Sequence, residues 1–253
     1  MKWEPNIYWK VKFNDKPIYL SKDHNWAFAA WEIEKINGNI KNESLLIHVD
    51  AHLDDVVDGV YVKGLKEIET YGDVLRVAQS YERGSEKRSE IMMEIANFIW
   101  AGIATGTIGE TIFVSDDKMV PNNLESLSGF VDKEFYQFLP KDCRYKQVFR
   151  FIEVSDFIKR FNTHQLNHYK DGRSIILDLD LDYFNKSKQY LEADLKSEDD
   201  IRHELTALRD LCEWDLITVA LSPEYCGGTK PCEKLLDAFL DVFELDMNEI
   251  TNW

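Results

Sequence analysis

The sequence predicts an α/β protein, a three-layer αβα sandwich on a mainly parallel sheet. Three observations carry this. The apolar runs Leu45-Leu46-Ile47, Ile175-Ile176-Leu177 and Leu216-Ile217 are short and continuous, as strands buried on both faces should be. They alternate with helical patterns, the usual way of linking parallel strands. Acidic and imidazole side chains then collect just beyond the apolar runs, at the strand ends where open α/β sheets bind ligands. With 253 residues, no internal repeat and no linker-like segment, residues 1–253 are expected to form one domain.

Residues 3–20 read as a β-hairpin belonging to that domain. Ile7 to Phe13 alternate in polarity and are rich in aromatics, Asn14-Asp15-Lys16-Pro17 supply a turn, and Ile18-Tyr19-Leu20 resume the strand. A helix over 26–33 follows, with Asp23 or Asn25 as its cap and Asn37-Gly38 at its end. The first central strand is expected over 45–50. Residues 58–81 read as irregular with one short helix, and the polar run Glu82 to Arg88 as a solvated loop. Ile91, Ile95, Phe98 and Ile99 form a stripe that predicts a helix over 90–104, ended by Gly106. A strand over 111–115, a loop-rich stretch over 116–145, a strand over 148–154 and a helix over 156–162 capped by Ser155 come next. The strand starting at Ser174 carries Asp178, Asp180 and Asp182 at period two. Then follow a helix over 197–212, a strand over 216–221 and a helix over 231–243.

The charge excludes some functions. Asp and Glu number 46 against 30 Lys and Arg, a formal net charge of −16. That sign repels a nucleic-acid backbone and suits a cationic ligand. No run of apolar residues is long enough to span a membrane, and the N-terminus lacks a signal-like apolar core. The four cysteines show no CxxC spacing, which argues against a zinc ribbon or disulfide scaffold and makes a reducing cytoplasm the expected compartment.

The chemistry concentrates in two stretches. In His48-Val49-Asp50-Ala51-His52-Leu53-Asp54, alternate side chains share a face, so His48, Asp50 and His52 converge, with Asp54 beside them if the extended path continues. In Asp178-Leu179-Asp180-Leu181-Asp182, three like charges in line repel one another unless a cation lies among them. His24 stands at the mouth of the first helix and Glu224 at the end of the 216–221 strand. Oxygen-rich donors with a minority of imidazole suit Mn²⁺, and bridging carboxylates let six residues hold two ions. His48 is expected behind the metal face, His164 and His168 on an exposed surface, and Cys226 as a buried thiol.

The motifs Asp23-His24, Asp50-Ala51-His52-Leu53-Asp54, Asp180-Leu181-Asp182 and Glu224, in that order, resemble those of the ureohydrolase (arginase/agmatinase) superfamily. The resemblance implies an arginase/deacetylase-like sandwich with a single catalytic domain over 1–253. It implies two manganese ions held by His24, Asp50, His52, Asp54, Asp180 and Asp182, with Glu224 holding a guanidinium. Asp178 is expected behind the Asp180/Asp182 pair, although Asp178/Asp180 also has the right spacing. Ser21-Lys22 stand where the family usually has glycines. No histidine lies between His52 and His164, and the residues that grip a free amino acid's carboxylate are not recognisable. These departures are similar to the divergent branch of peptide arginases. The expected function is therefore conversion of arginine side chains in a peptide to ornithine with release of urea, Asp54 or a water giving the leaving amine its proton. The alternatives are hydrolysis of a small free guanidino compound, a zinc-dependent deacetylase on the same fold, and a non-enzymatic binding protein.

Overall fold

The chain is described by a computed structural model over residues 3–4, 6–79, 90–187 and 189–253. The expected loop at 82–88 lies outside these residues. The strands are β1 (Lys10–Phe13), β2 (Ile18–Ser21), β3 (Ser44–Val49), β4 (Ile108–Val114), β5 (Lys146–Phe151), β6 (Ile175–Asp180), β7 (Leu216–Ala220) and β8 (Ile250–Asn252). They form one sheet in the order β5-β4-β3-β6-β7-β2-β1-β8. Every pair from β5 to β2 is parallel, and β1 is antiparallel to both of its neighbours. The β1–β2 hairpin is thus the continuation of the parallel sheet, because β2 runs alongside β7 from Ile18↔Ile217 to Ser21↔Ala220.

The helices are α1 (Trp26–Ile36), α2 (Tyr71–Ala78), α3 (Phe98–Ala104), α4 (Val154–Arg160), α5 (Thr163–Lys170), α6 (Glu198–Leu211) and α7 (Thr229–Phe243). Two apolar cores separate them into layers. One core packs Trp31, Phe98 and Trp100 of α1 and α3 with α2, and the other packs Phe157, Leu205 and Phe239 of α4, α6 and α7. The central strands β3 and β6 are buried throughout. Their side chains divide by parity: Leu45, Ile47, Val49, Ile175, Leu177 and Leu179 enter the α6–α7 core, while Leu46 and Ile176 enter the α1–α3 core. Even-numbered residues continue on that second face, which is the direction in which His48, Asp50, Asp178 and Asp180 follow.

The structure departs from the sequence reading in several places. The helix over 90–104 shortens to Phe98–Ala104. The Asn97 side chain ties down the preceding turn, accepting from Glu94 N and donating to Met92 O and Asp58. Gly59 presses against the same place, where a Cβ would stand 2.0 Å from the Asn97 carbonyl oxygen. The strand expected over 148–154 is Lys146–Phe151, and Glu153 rather than Ser155 stands at the N-cap of α4. Asn25 precedes α1 but donates to Ala78 O, 2.6 Å away, instead of capping with its side chain. Asp182 lies beyond the strand, in a 3₁₀ turn over Leu181–Phe184. Helix α5, with its Asn162/Gln165 capping box, and the three-residue β8 were not anticipated. His164 and His168 are exposed on α5, and Cys226 is buried. Among the described residues, no helix is long and apolar enough to cross a membrane.

Candidate metal centre

The predicted site residues meet at the carboxyl ends of four neighbouring strands. His24 comes from the turn after β2, and Asp50, His52 and Asp54 from the segment after β3. Asp180 and Asp182 come from the end of β6, and Ser222 from just past β7. His24 is buried, and its two ring nitrogens have different surroundings. Nε2 lies 3.0 Å from Asp178 Oδ2, while Nδ1 faces Asp54 Oδ2 at 3.0 Å, Asp50 Oδ2 at 3.1 Å and Asp180 Oδ2 at 3.2 Å. None of those three approaches has hydrogen-bond geometry, so His24 Nδ1 and Asp50 Oδ2 are buried without a partner, as is His48 Nε2. His52 Nδ1 lies 3.1 Å from Asp182 Oδ2 and 3.3 Å from Asp50 Oδ1.

Other groups fix these side chains. Asp178 sits one layer deeper, accepting from Thr218 Oγ1 at 2.7 Å and contacting His48 Nδ1 at 2.8 Å. Ser222 donates to Asp180 Oδ2 at 2.5 Å, and the Asp182 amide donates to Asp180 Oδ1 at 2.9 Å. The His52 amide donates to Asp50 Oδ1 at 2.7 Å. Asp54 does not continue an extended path: its φ is +47°, and this left-handed turn brings its carboxylate back to His24. Ser222 is likewise left-handed, at φ +39°.

Five carboxylates and three imidazoles therefore share one largely buried site. Burial pushes the Asp182 carboxyl well above the usual range, and Asp180 and Asp50 push it further. Burial and Asp50 push Asp54 up to about 6. Asp178 goes the other way: burial opposes it, but the His24 and His48 rings hold it at about 2. Burial also opposes protonation of His24, yet Asp178 and the facing carboxylates raise its pKa well above the usual value. Even with the imidazoles protonated, five carboxylates outnumber three rings, an excess of negative donors that a cation would offset.

A divalent cation fits it. Donor atoms of His24, His48 and Asp50 lie within 4.8 Å of one another, as do those of Asp50, His52 and Asp182, and Asp50 belongs to both groups. Each of these first three residues has a buried atom without a hydrogen-bond partner among the described residues: His24 Nδ1, His48 Nε2 and Asp50 Oδ2.

A cavity of about 260 Å³ opens onto the centre. His24, His52, Asp54, Asp180 and Asp182 line it, together with Asp55, Asp117, Asn122, Ser222 and Tyr225. Glu224 is not among its walls. It is partly exposed and pairs through Oε1 with Lys22 Nζ at 3.0 Å, and Lys22 also reaches Asp23 at 2.9 Å. Sequence reasoning missed Asp55, Ser222 and Tyr225. The adjacent carboxylates Asp54-Asp55 and the serine directly after a buried strand were the available signals. Asp55 accepts from Trp100 Nε1 at 2.5 Å, and its burial pushes its carboxyl up to about 7.

No protein-family model matches the chain, and no curated protein does. Several solved structures are similar to it. The proclavaminate amidino hydrolase from Streptomyces clavuligerus matches at 13% identity and a TM-score of 0.43, over 89% of this chain and 64% of that one. The agmatine ureohydrolase of Thermoplasma volcanium matches at 16% and 0.39, over 90% and 62%. The arginase from Bacillus caldovelox matches at 12% and 0.41, over 91% and 69%. The chain spans less than two thirds of the length of the first two.

Proposed function

We propose that this chain is a dinuclear-manganese hydrolase that cleaves the guanidino C–N bond of arginine side chains in a peptide, leaving ornithine and releasing urea. The observation that supports this best is the buried His24 Nδ1, which faces the carboxylates of Asp50, Asp54 and Asp180 at 3.0 to 3.2 Å without bonding to any. In this reading His24, Asp50, His52, Asp54, Asp180 and Asp182 hold the two ions. Bound there, the pair supplies a water made nucleophilic at neutral pH.

The chain's own residues do the rest. The guanidinium carbon is a poor electrophile, so positioning matters. Glu224 is assigned to the guanidinium by charge-assisted hydrogen bonds, with Lys22 already on its Oε1. Ser222 and the Asp182 amide keep Asp180 in one rotamer. Asp54, which lines the cavity, or a water beside it, gives a proton to the leaving amine. The strongly acidic chain draws in a cationic peptide.

Mass spectrometry tests this. Mn²⁺-loaded protein is incubated with an arginine-containing peptide, with free arginine and with agmatine. The expected result is a loss of about 42 Da per arginine from the peptide, the mass of the cyanamide unit removed in such a metal-assisted hydrolysis. Turnover of agmatine alone would keep the chemistry and move the substrate to a small guanidino compound. One zinc per chain with amide deacylation would replace the reading by a deacetylase.

A further inference from the structure

The cavity has an acidic floor and apolar sides. Met119 and Val120 line it from the loop after β4, Val56 from the segment after β3, and Tyr225 from the loop after β7. In the sheet, β3 and β6 lie between β4 and β7, so the β4 and β7 walls stand on opposite sides of the candidate metal centre. Single exposed apolar residues are ordinary on protein surfaces. These are concentrated around one opening, and the backbone holds them there.

Met119 and Val120 are 69% and 77% exposed. Their loop is tied on both sides. Arg150 Nη1 donates to Met119 O at 2.7 Å, the Met119 amide donates to Asp117 Oδ1 at 2.8 Å, and Asn122 bonds to Asp55 through its backbone amide and through Nδ2 to the backbone oxygen. Polar anchors thus fix the main chain while the two apolar side chains point into water. The opposite wall is built likewise. The Tyr225 ring meets His52 edge-on at 5.2 Å and Tyr190 at 5.8 Å. Leu191 beside it is 58% exposed and sits at φ +61°, a conformation disfavoured for leucine, held by its amide donating to Glu224 O at 2.8 Å.

We propose that these walls form a two-sided apolar cradle that receives the apolar side chains flanking the arginine of a peptide. Met119 and Val120 take one neighbour, and Tyr225, with Tyr190 and Leu191 behind it, the other. The inference rests on the peptide reading above and names the class of peptide: an arginine between apolar residues. The cationic side chain enters the acidic cavity, and its neighbours cover surface that otherwise stays wet.

Two peptides of equal length and charge test the cradle, one with its arginine between leucines and one with it between serines. They are compared as kcat/KM by mass spectrometry with the Mn²⁺-loaded protein, and as Kd by fluorescence anisotropy with the metal-free chain. The expected preference for the leucine-flanked peptide is about tenfold in both measurements. A Met119→Ser, Val120→Ser double variant is expected to lose most of it, and Met119→Leu to keep it. Near-ultraviolet circular dichroism checks that both variants are folded. Equal kcat/KM and equal Kd for the two peptides, with both hydrolysed, would overturn the cradle and leave the proposed function standing. Turnover of agmatine with neither peptide hydrolysed would overturn the peptide reading and the cradle with it.

Discussion

His24 shows how one side chain is oriented for a metal before any metal is considered. Asp178 takes Nε2, which leaves Nδ1 turned to Asp50, Asp54 and Asp180. Asp178 is itself locked by Thr218 and His48, and Trp31 donates to Thr218 Oγ1 at 3.3 Å. Asp178 therefore acts through His24 rather than lining the cavity. Asp178→Asn is expected to weaken manganese binding about 10–100-fold while two ions still bind at saturation. Asp180→Asn is expected to lower the stoichiometry itself. Titration of metal-free protein with Mn²⁺ measures both, and full loss of one ion in Asp178→Asn would make Asp178 a direct ligand. At this scale the sequence was informative where side chains follow a strand's alternation, as His48, Asp50, Asp178 and Asp180 do. It was uninformative where the backbone turns. The left-handed Asp54 reaches His24 by a path no alternation describes, and the pairing of Glu224 with Lys22 depends on two loops meeting across 202 positions of sequence.

Elements are tied together mostly by apolar packing, with Glu34 of α1 a polar exception. Its carboxylate accepts from Lys12 of β1 at 2.7 Å, from the Tyr19 hydroxyl of β2, and from Asn39 past the helix end. Burial opposes its ionisation, but Lys12, Tyr19 and Asn39 outweigh this and lower its pKa below the ordinary 4.5. A depressed carboxylate contributes stability that is fully present above the unfolded-state pKa and disappears as pH falls through the folded one. Urea midpoints at about pH 6 and about pH 3 should therefore converge for Glu34→Gln and the parent chain at the acid end and diverge at the neutral end. A constant gap between them would show that the charge of Glu34 does not hold the hairpin to α1. The strands that position the site were legible because continuous apolar runs leave little choice. The helix over 90–104 was misjudged because its apolar stripe continues into residues that Gly59 and Asn97 hold in a turn. Helix α5 and β8 were missed because eight and three residues give too little periodicity to read.

For the whole molecule, the charge imbalance at the centre should appear as stability. Ions bound as proposed would pair the buried carboxylates, which otherwise repel one another at close range. Chelation is expected to lower the midpoint of thermal unfolding by about 5 °C or more, and added Mn²⁺ to restore it. Calorimetry with and without chelator measures this, and an unchanged midpoint would count against occupancy of the site by metal. The sandwich was legible from strand–helix alternation, but the sheet order was not. Nothing local in residues 18–21 announces that they pair with residues 217–220.

That pairing has a consequence for how the molecule is made. The hairpin leading to His24 is synthesised well before residues 216–220, yet its place beside β7 exists only once those residues have emerged and joined β6. Contacts that span most of a chain are slow to form. An unfinished or misfolded chain can gather Asp50, Asp54 and Asp180 near one another but cannot bring His24 to face them. A site in which His24 faces its carboxylates thus depends on the β2–β7 pairing, and a nascent chain that has not yet formed β7 should be incapable of the proposed chemistry.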